Sequence, residues 1–343
     1  MEVKQNTLYL TTTGAYVSRD HLNLRIEVER ELKLSVPIHH LESVCVFGQC
    51  GFSPQALELC WESGVPVNYF SENGYFIGRW EGVPNTSVLL RRAQYRAADN
   101  EQQTHLLARQ FVAGKIQNAR QSLMRSARES DSDDDRQRLQ SCSVELATML
   151  RWLEQSTGVD EVRGLEGQSA ALYFGVFTCH LRQQREDFAF GTRSRRPPRD
   201  LINCLLSFLY AVVRHDCIAA LTATGLDPFV GYLHALRPNR PALALDLMEE
   251  FRALLADRLA ITLINRRQVT PKDFTKREGG AVEFTQAGRK AVITAYQSRK
   301  QETVKHPVID QDFRVGQLML AQSRILARHL RGDLKEYVPC VLR

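Results

Sequence analysis

The chain has 343 residues, 43% of them hydrophobic and 24% charged, with 45 Lys and Arg against 39 Asp and Glu for a formal net charge of +6. That composition supports a sizeable core and excludes wholesale disorder, and the length suits about two domains of ordinary size. The mild positive excess permits nucleic acid as a partner without demanding it.

Met1 is followed by Glu2, Lys4 and Gln5 rather than an apolar block, which speaks against a signal peptide. Up to about residue 92 short strands alternate with turn residues: Thr7 to Thr13, Asn23 to Val28, Lys33 to Pro37, Ser43 to Phe47, Val65 to Phe70, Tyr75 to Trp80 and Ser87 to Leu90. One helix interrupts them at Gln55 to Glu62, with Ser53 as N-cap and Pro54 at the first helical position.

From about Arg96 the period becomes helical. Leu106, Leu107, Phe111 and Ile116 mark one amphipathic helix, and Val144, Leu146, Leu150 and Leu153 another. The acidic block between them, Ser126 to Arg138, reads as a solvated loop. Further helices are expected at Leu165 to Gln183, Asp200 to Thr224, Pro241 to Asn265, Ala287 to Gln301 and Asp312 to Leu330. The longest apolar stretch, Leu201 to Val213, is shorter than the roughly 20 residues that span a bilayer, so it reads as a core helix and no membrane is expected. The class is therefore α+β: a small β-rich N-terminal domain over 1–92, then a larger all-α domain over 96–343. The eight cysteines contain no CxxC pair and read as reduced thiols of a cytoplasmic protein.

The segment Gly225 to Arg252 is rich in chemistry-bearing residues. Gly225, Pro228 and Gly231 punctuate a turn that places His234 on or near a connection, Asn239 offers a helix cap, and Pro241 a helix start. In that helix Asp246, Glu249 and Glu250 share roughly one face, and their repulsion calls for a cation, either a metal or one of Arg240, Arg252 and Arg258. His234 alone is more often a satisfied core or surface histidine than a ligand, and Glu166, set between Gly164 and Gly167, usually serves a helix dipole in the first turn, the alternative being a carboxylate that crosses to a site built by another helix. A Glu, His and Glu/Asp set with open positions suits a hard ion such as Mg²⁺ or Mn²⁺ acting on a phosphodiester. No P-loop, GxSxG or HExxH sequence is present. Arginines gather at Arg193, Arg195, Arg196 and Arg199 on a loop whose two prolines forbid helix, and at Arg266 and Arg267. On one face these would track phosphates.

Three runs in order, RGLEGQSAALYF from Arg163, RSRRPPRDLINCLLSFLY from Arg193 and GLDPFVGYLHALRPNRPALALDLMEEFR from Gly225, resemble the CRISPR-associated integrase/endonuclease of spacer acquisition, the family of the first-numbered Cas protein. The opening NTLYLTTTGAYVSRD and VLLRRAQYR from Val88 look like its type I-C branch, and the resemblance extends over essentially the whole chain. It implies a β-domain that mediates homodimers and a helical catalytic domain. Glu166, His234 and Glu249 would be the metal ligands, with Asp246 and Glu250 as supporting acids, although some members carry Asp in place of Glu249. It further implies that two dimers flank a dimer of a small ferredoxin-like protein in a heterohexamer, with an iron-sulfur nuclease as another partner. The reaction would be attack by a 3′-hydroxyl of incoming DNA on a repeat-end phosphodiester, with nuclease activity when water replaces the hydroxyl. A non-catalytic DNA-binding scaffold and a stand-alone repair nuclease are the competing readings.

Overall fold

The computed structural model describes residues 2–4, 7–71, 76–80, 88–194 and 197–342. The chain divides into two units, Met1–Asn85 and Thr86–Arg343.

Among the described residues the N-terminal unit has two sheets, one α-helix and a 3-10 turn, Ile38–His40. Its elements are β1 (Glu2–Lys4), β2 (Thr7–Leu10), β3 (Tyr16–Asp20), β4 (Asn23–Val28), β5 (Glu31–Pro37), β6 (Ser43–Phe47), β7 (Gly51–Phe52), α1 (Pro54–Glu62), β8 (Val67–Phe70) and β9 (Phe76–Trp80). One sheet runs β1-β2-β6-β8-β9 with a parallel centre, and the other runs β5-β4-β3-β7. Strands β2, β6 and β8 are short and almost wholly apolar, as strands covered on both faces are. In β4 every second residue, Leu24 and Ile26, points into the core with Val17, Val44, Val46 and Val67. Ser53 caps α1 through the Ala56 N–H, with Pro54 at the first position.

The second unit opens with a helix where the sequence suggests a strand. Residues from Val88 continue through Arg91, Arg92 and Gln94 as α2 (Val88–Ala98), whose inward residues Leu90, Gln94 and Ala97 follow helical spacing. Ser87 and Tyr75 lie outside the described residues. The change to helix therefore comes before the 92–96 region where the periodicity becomes obvious.

After α2 come α3 (Glu101–Glu129), α4 (Asp133–Gln155), α5 (Val159–Gly175), α6 (Leu201–Thr224), α7 (Ala242–Phe251) and α8 (Arg258–Asn265). The acidic block is not a solvated loop. Ser132 caps α4, Asp133, Asp134 and Asp135 complement its dipole in the first turn, and buried Asp135 is held by both terminal nitrogens of Arg185 at 2.5 and 3.1 Å. The helix expected to run to Gln183 ends at Gly175, followed by a 3-10 turn, Phe177–His180. The single helix expected from Pro241 to Asn265 is two helices joined by a π turn, Arg252–Asp257. Asn239 caps nothing: it adopts φ 60° in a turn, and Pro241 occupies the N-cap position.

The helical unit is not all-α. β10 (Phe274–Lys276) pairs with β11 (Val282–Phe284), α9 (Gln286–Gln301) follows, and β12 (Thr303–Lys305) pairs with β13 (Asp312–Arg314) ahead of α10 (Leu318–Leu330). The helix expected from Asp312 thus begins at Leu318, because Phe313 pairs with Val304 across the hairpin.

At the centre lies α6, which is apolar nearly all round. The apolar stretch noted in the sequence is part of this 24-residue helix, long and apolar enough on those grounds alone to cross a membrane, but 72% of its most apolar window is buried within the fold. All eight cysteines are free thiols.

Candidate active site

Three helices and one loop bring the chemistry-bearing residues together. Lys115 comes from α3, Glu166 from α5 and Glu249 from α7, and His234 from the loop before α7. The Lys115 ammonium pairs with Glu166 Oε1 and lies 2.7 Å from Glu249 Oε2. His234 Nε2 is 3.9 Å from Glu249 Oε1. Arg252 Nη1 reaches both oxygens of the same carboxylate, at 2.8 and 3.0 Å.

Asp246 builds the histidine loop. Its Oδ2 accepts the backbone N–H groups of Tyr232 and Leu233 at 2.6 and 3.0 Å, and its Oδ1 accepts the His234 N–H at 2.9 Å. The same Oδ1 lies 2.7 Å from His234 Nδ1. An ionised carboxylate only accepts, so Nδ1 carries the proton of that bond and Nε2 is the ring nitrogen turned toward Glu249. Arg163, one turn before Glu166 on α5, secures the loop from outside by donating to Leu233 O at 2.6 Å. Gly231 is required by the close approach of loop and helix: a Cβ there would stand 2.6 Å from the Ala242 carbonyl carbon and from Asp246 Oδ2.

Glu249 is 2% exposed. Burial opposes its ionisation, but Arg252, Lys115 and His234 outweigh that penalty and hold the carboxyl well below the ordinary range. Arg252 is likewise opposed by burial, yet Glu249 raises its pKa further.

Glu250 does not share this site. Its side chain turns to the C-terminal segment, where Tyr337 OH donates to Oε1 while Gln322 Nε2 and the Cys340 N–H donate to Oε2 at 3.0 and 2.7 Å. Burial dominates there and pushes its pKa up to about 7, against those three hydrogen bonds. The shared face expected of the three acids therefore holds for Asp246 and Glu249 only. Glu166 is not a first-turn acid either: α5 begins at Val159, and Asp160 and Glu161 occupy its first turn.

Among the described residues no three His, Cys, Asp or Glu side chains are closed up as a metal-ion cage. The Lys115 ammonium is a stand-in cation between Glu166 and Glu249, and two carboxylates with an imidazole lone pair are donors a hard divalent ion accepts. Lys115 carries no sequence motif; its signal is a lysine on the buried stripe of α3, with only 12% of its side chain exposed, beside Phe111, Val112 and Ile116.

The basic residues divide. Arg193 is half-buried, with Nη1 donating to Asn203 Oδ1 at 2.5 Å and Nη2 to Ser207 Oγ at 3.2 Å, so this arginine moors its loop to α6. Arg195 and Arg196 lie outside the described residues. Arg199 is exposed. Arg267 is exposed at φ 54° and donates to Gln183 Oε1 at 2.9 Å. Exposed Arg266 joins Arg125, Arg128, Arg182 and Arg258 in lining a cavity of about 430 Å³.

An α+β chain with a helical unit gathering two carboxylates and a histidine about one cation has the makings of a phosphodiester-processing enzyme. Residues 8–298 match the family described as CRISPR associated protein Cas1, and the chain belongs to that family. It is 47% identical over 343 residues, all of both chains, to CRISPR-associated endonuclease Cas1 1 of Moorella thermoacetica, and 45% identical over the same full length to CRISPR-associated endonuclease Cas1 1 of Chlorobaculum tepidum. It is 34% identical to a CRISPR-associated exonuclease Cas4/endonuclease Cas1 fusion of Geobacter sulfurreducens, covering 98% of this chain and 60% of the fusion. In fold it is similar to a CAS1 protein from Thermotoga maritima, with TM-score 0.82, 24% identity, and 97% and 98% of the two chains covered. It is also similar to a casposase bound to integration product, with TM-score 0.83, 21% identity and 97% and 92% coverage. A Cas6-RT-Cas1–Cas2 complex contains a similar fold, with TM-score 0.83, 24% identity and 99% and 36% coverage.

Proposed function

We propose that this Cas1 is the DNA integrase and endonuclease of CRISPR adaptation, and that Glu166, His234 and Glu249 form its metal-binding active site for Mg²⁺ or Mn²⁺. The observation that carries the reading is the meeting of Glu166 and Glu249 on the single Lys115 ammonium with His234 Nε2 beside them. Glu166, His234 and Glu249 would hold a divalent ion, which would supply polarisation of a phosphoryl oxygen and a lowered pKa for the attacking hydroxyl or water. The chain's own part is orientation. Asp246 fixes the His234 tautomer, Arg252 fixes the Glu249 carboxylate, and Lys115 and Arg252 supply positive charge against a phosphodiester whose negative charge grows in the transition state. A 3′-hydroxyl of incoming DNA as nucleophile gives strand transfer, and water in its place gives cleavage.

Strand-transfer assays on a branched or repeat-containing DNA test this. Glu166→Ala, His234→Ala and Glu249→Ala should each abolish Mn²⁺-dependent turnover while leaving DNA affinity and the fold in place; activity surviving in all three sinks the assignment. The pairing of Glu249 with both Lys115 and Arg252 favours one rival, a DNA-binding scaffold whose acids are merely ion-paired. That rival expects salt-sensitive DNA binding with no Mn²⁺-dependent turnover.

Around this centre we place DNA phosphates on Arg266 and Arg199, with Arg193, Arg195, Arg196 and Arg267 in the same two basic segments. The N-terminal unit is the homodimer surface in this reading. A small ferredoxin-like second adaptation protein completes a heterohexamer, in keeping with a related fold that assembles with Cas2. An iron-sulfur nuclease partner fits a relative fused to an exonuclease Cas4, and the type I-C branch rests on the opening run and the run from Val88 alone. The free thiols suit a cytoplasmic setting.

A further inference from the structure

Arg252 is held by more than the carboxylate it clamps. Its guanidinium carbon lies 4.4 Å from the centroid of the Tyr210 ring on α6, within cation–π reach. Tyr210 is itself fixed, because its hydroxyl donates to Asp257 Oδ1 at 2.6 Å. Asp257 and Arg252 are the two ends of the π turn. Residues five apart on an α-helix lie about 140° apart around the axis, whereas the wider π turn swings them toward one side. The turn thus lets one segment deliver both the arginine that stacks on the ring and the acid that locks it. The Arg193 guanidinium carbon lies 5.3 Å from the same ring, so the arginine loop is moored there as well. Tyr210, Arg252 and Asp257 line one small cavity together with Lys115.

The clamp on Glu249 is sensitive to angle. One nitrogen, Nη1, serves both carboxylate oxygens, so a tilt of the guanidinium rotates the carboxylate relative to Lys115 and His234. We propose that Tyr210 is a positioning residue for the strand-transfer site, its ring face holding Arg252 at the angle from which it orients Glu249. The inference rests on the reading of Glu249 as a member of that site. The hydroxyl bond to Asp257 serves stability, and the ring serves alignment.

The test uses the full chain with Tyr210→Leu, which removes the ring, and Tyr210→Phe, which keeps it. Three quantities are measured: kcat and KM on a branched DNA, Mn²⁺ affinity by calorimetry, and the Arg252 Nε–H resonance of the metal-free protein, identified by its loss in Arg252→Lys. Tyr210→Leu should lower kcat about tenfold or more with KM unchanged, weaken Mn²⁺ binding about tenfold and move the resonance. Tyr210→Phe should be less stable yet keep kcat and Mn²⁺ affinity within about threefold, with the resonance in place. A folded Tyr210→Leu with unchanged kcat, Mn²⁺ affinity and resonance overturns the proposal, and so does a Tyr210→Phe as impaired as Tyr210→Leu. If Tyr210→Leu does not fold, Tyr210→Met fills the space without a ring and is judged by the same outcomes. Glu249→Ala run alongside separates the two levels: its activity would remove the site reading, whereas its inactivity beside a normal Tyr210→Leu removes only this inference.

Discussion

Lys115 on α3 lies 2.7 Å from Glu249 on α7, and the same ammonium pairs with Glu166 on α5. One positive charge thereby ties three helices at the point where two carboxylates would otherwise repel. A divalent ion seeks the same oxygens, so the lysine and the ion compete for them.

Lys115→Met makes that competition measurable. Without divalent ions the variant should lose about 2–4 kcal/mol of stability, because two carboxylates, one of them buried, are left without their shared cation. Mn²⁺ should raise its Tm more than that of the unaltered chain, with half-saturation at a lower concentration. Thermal denaturation titrated with Mn²⁺ reads both, and an identical response in the two proteins contradicts the competition.

Asp246→Asn acts through the histidine. The carboxylate accepts three backbone N–H groups and faces the proton of His234 Nδ1, and an amide would turn an NH₂ toward one of those donors. The expected effects are a 10- to 100-fold loss of Mn²⁺ affinity or activity, roughly what loss of a hydrogen-bond partner behind a ligating histidine brings, and about 1–3 kcal/mol of stability. Chemical denaturation and single-turnover cleavage measure them separately.

Neighbouring acids can be told apart by their partners. Glu249→Gln should remove Mn²⁺-dependent turnover, while Glu250→Gln should leave turnover within about threefold and instead weaken the packing of the C-terminal segment, by about 1–3 kcal/mol. Rates measured on both variants should separate them, with turnover lost in Glu249→Gln and kept in Glu250→Gln; equal loss of activity with intact stability in Glu250→Gln would refute the division.

His180 supplies a pH signature away from the site. Burial lowers its pKa to about 4, so the folded state keeps the ring neutral. The native state then binds fewer protons than the unfolded chain between the ordinary value of 6.5 and about 4. Stability from this group is fully present above pH 6.5 and is lost as pH falls through that window. Unfolding free energies at pH 8 and at pH 4.5 should differ by a few kcal/mol less in His180→Phe than in the unaltered chain. An equal pH dependence in both would show that His180 is not the group responsible.

Much of the architecture could be read from local pattern. Alternation in Asn23 to Val28, the Ser53-Pro54 cap and the apolar run after Asp200 all have physical causes that act within a few residues. The errors arise where tertiary contacts decide. Val88 to Leu90 has strand-like residues but turns helical because Leu90, Gln94 and Ala97 find a common inward face. Phe313 is drawn into a hairpin by Val304, which no helical period announces. At the site, Glu166 and Glu249 are far apart in the chain, and only the packing of α3, α5 and α7 brings them to one ammonium. Glu250 shows the limit of spacing arguments: it lies one residue from Glu249, about 100° around the helix, and serves a different structure.

Gln94 carries a lesson for cutting the chain. Its amide nitrogen donates to the carbonyls of Asp227 and Val230, both at 2.8 Å, and its amide oxygen accepts the Asp227 N–H at 2.9 Å, so one side chain clasps the strip of backbone leading to His234. A fragment started at Arg96 would retain every acid of the centre and lose this clasp on the backbone leading to its histidine. Dissection of this enzyme into separately produced pieces should therefore begin no later than Val88.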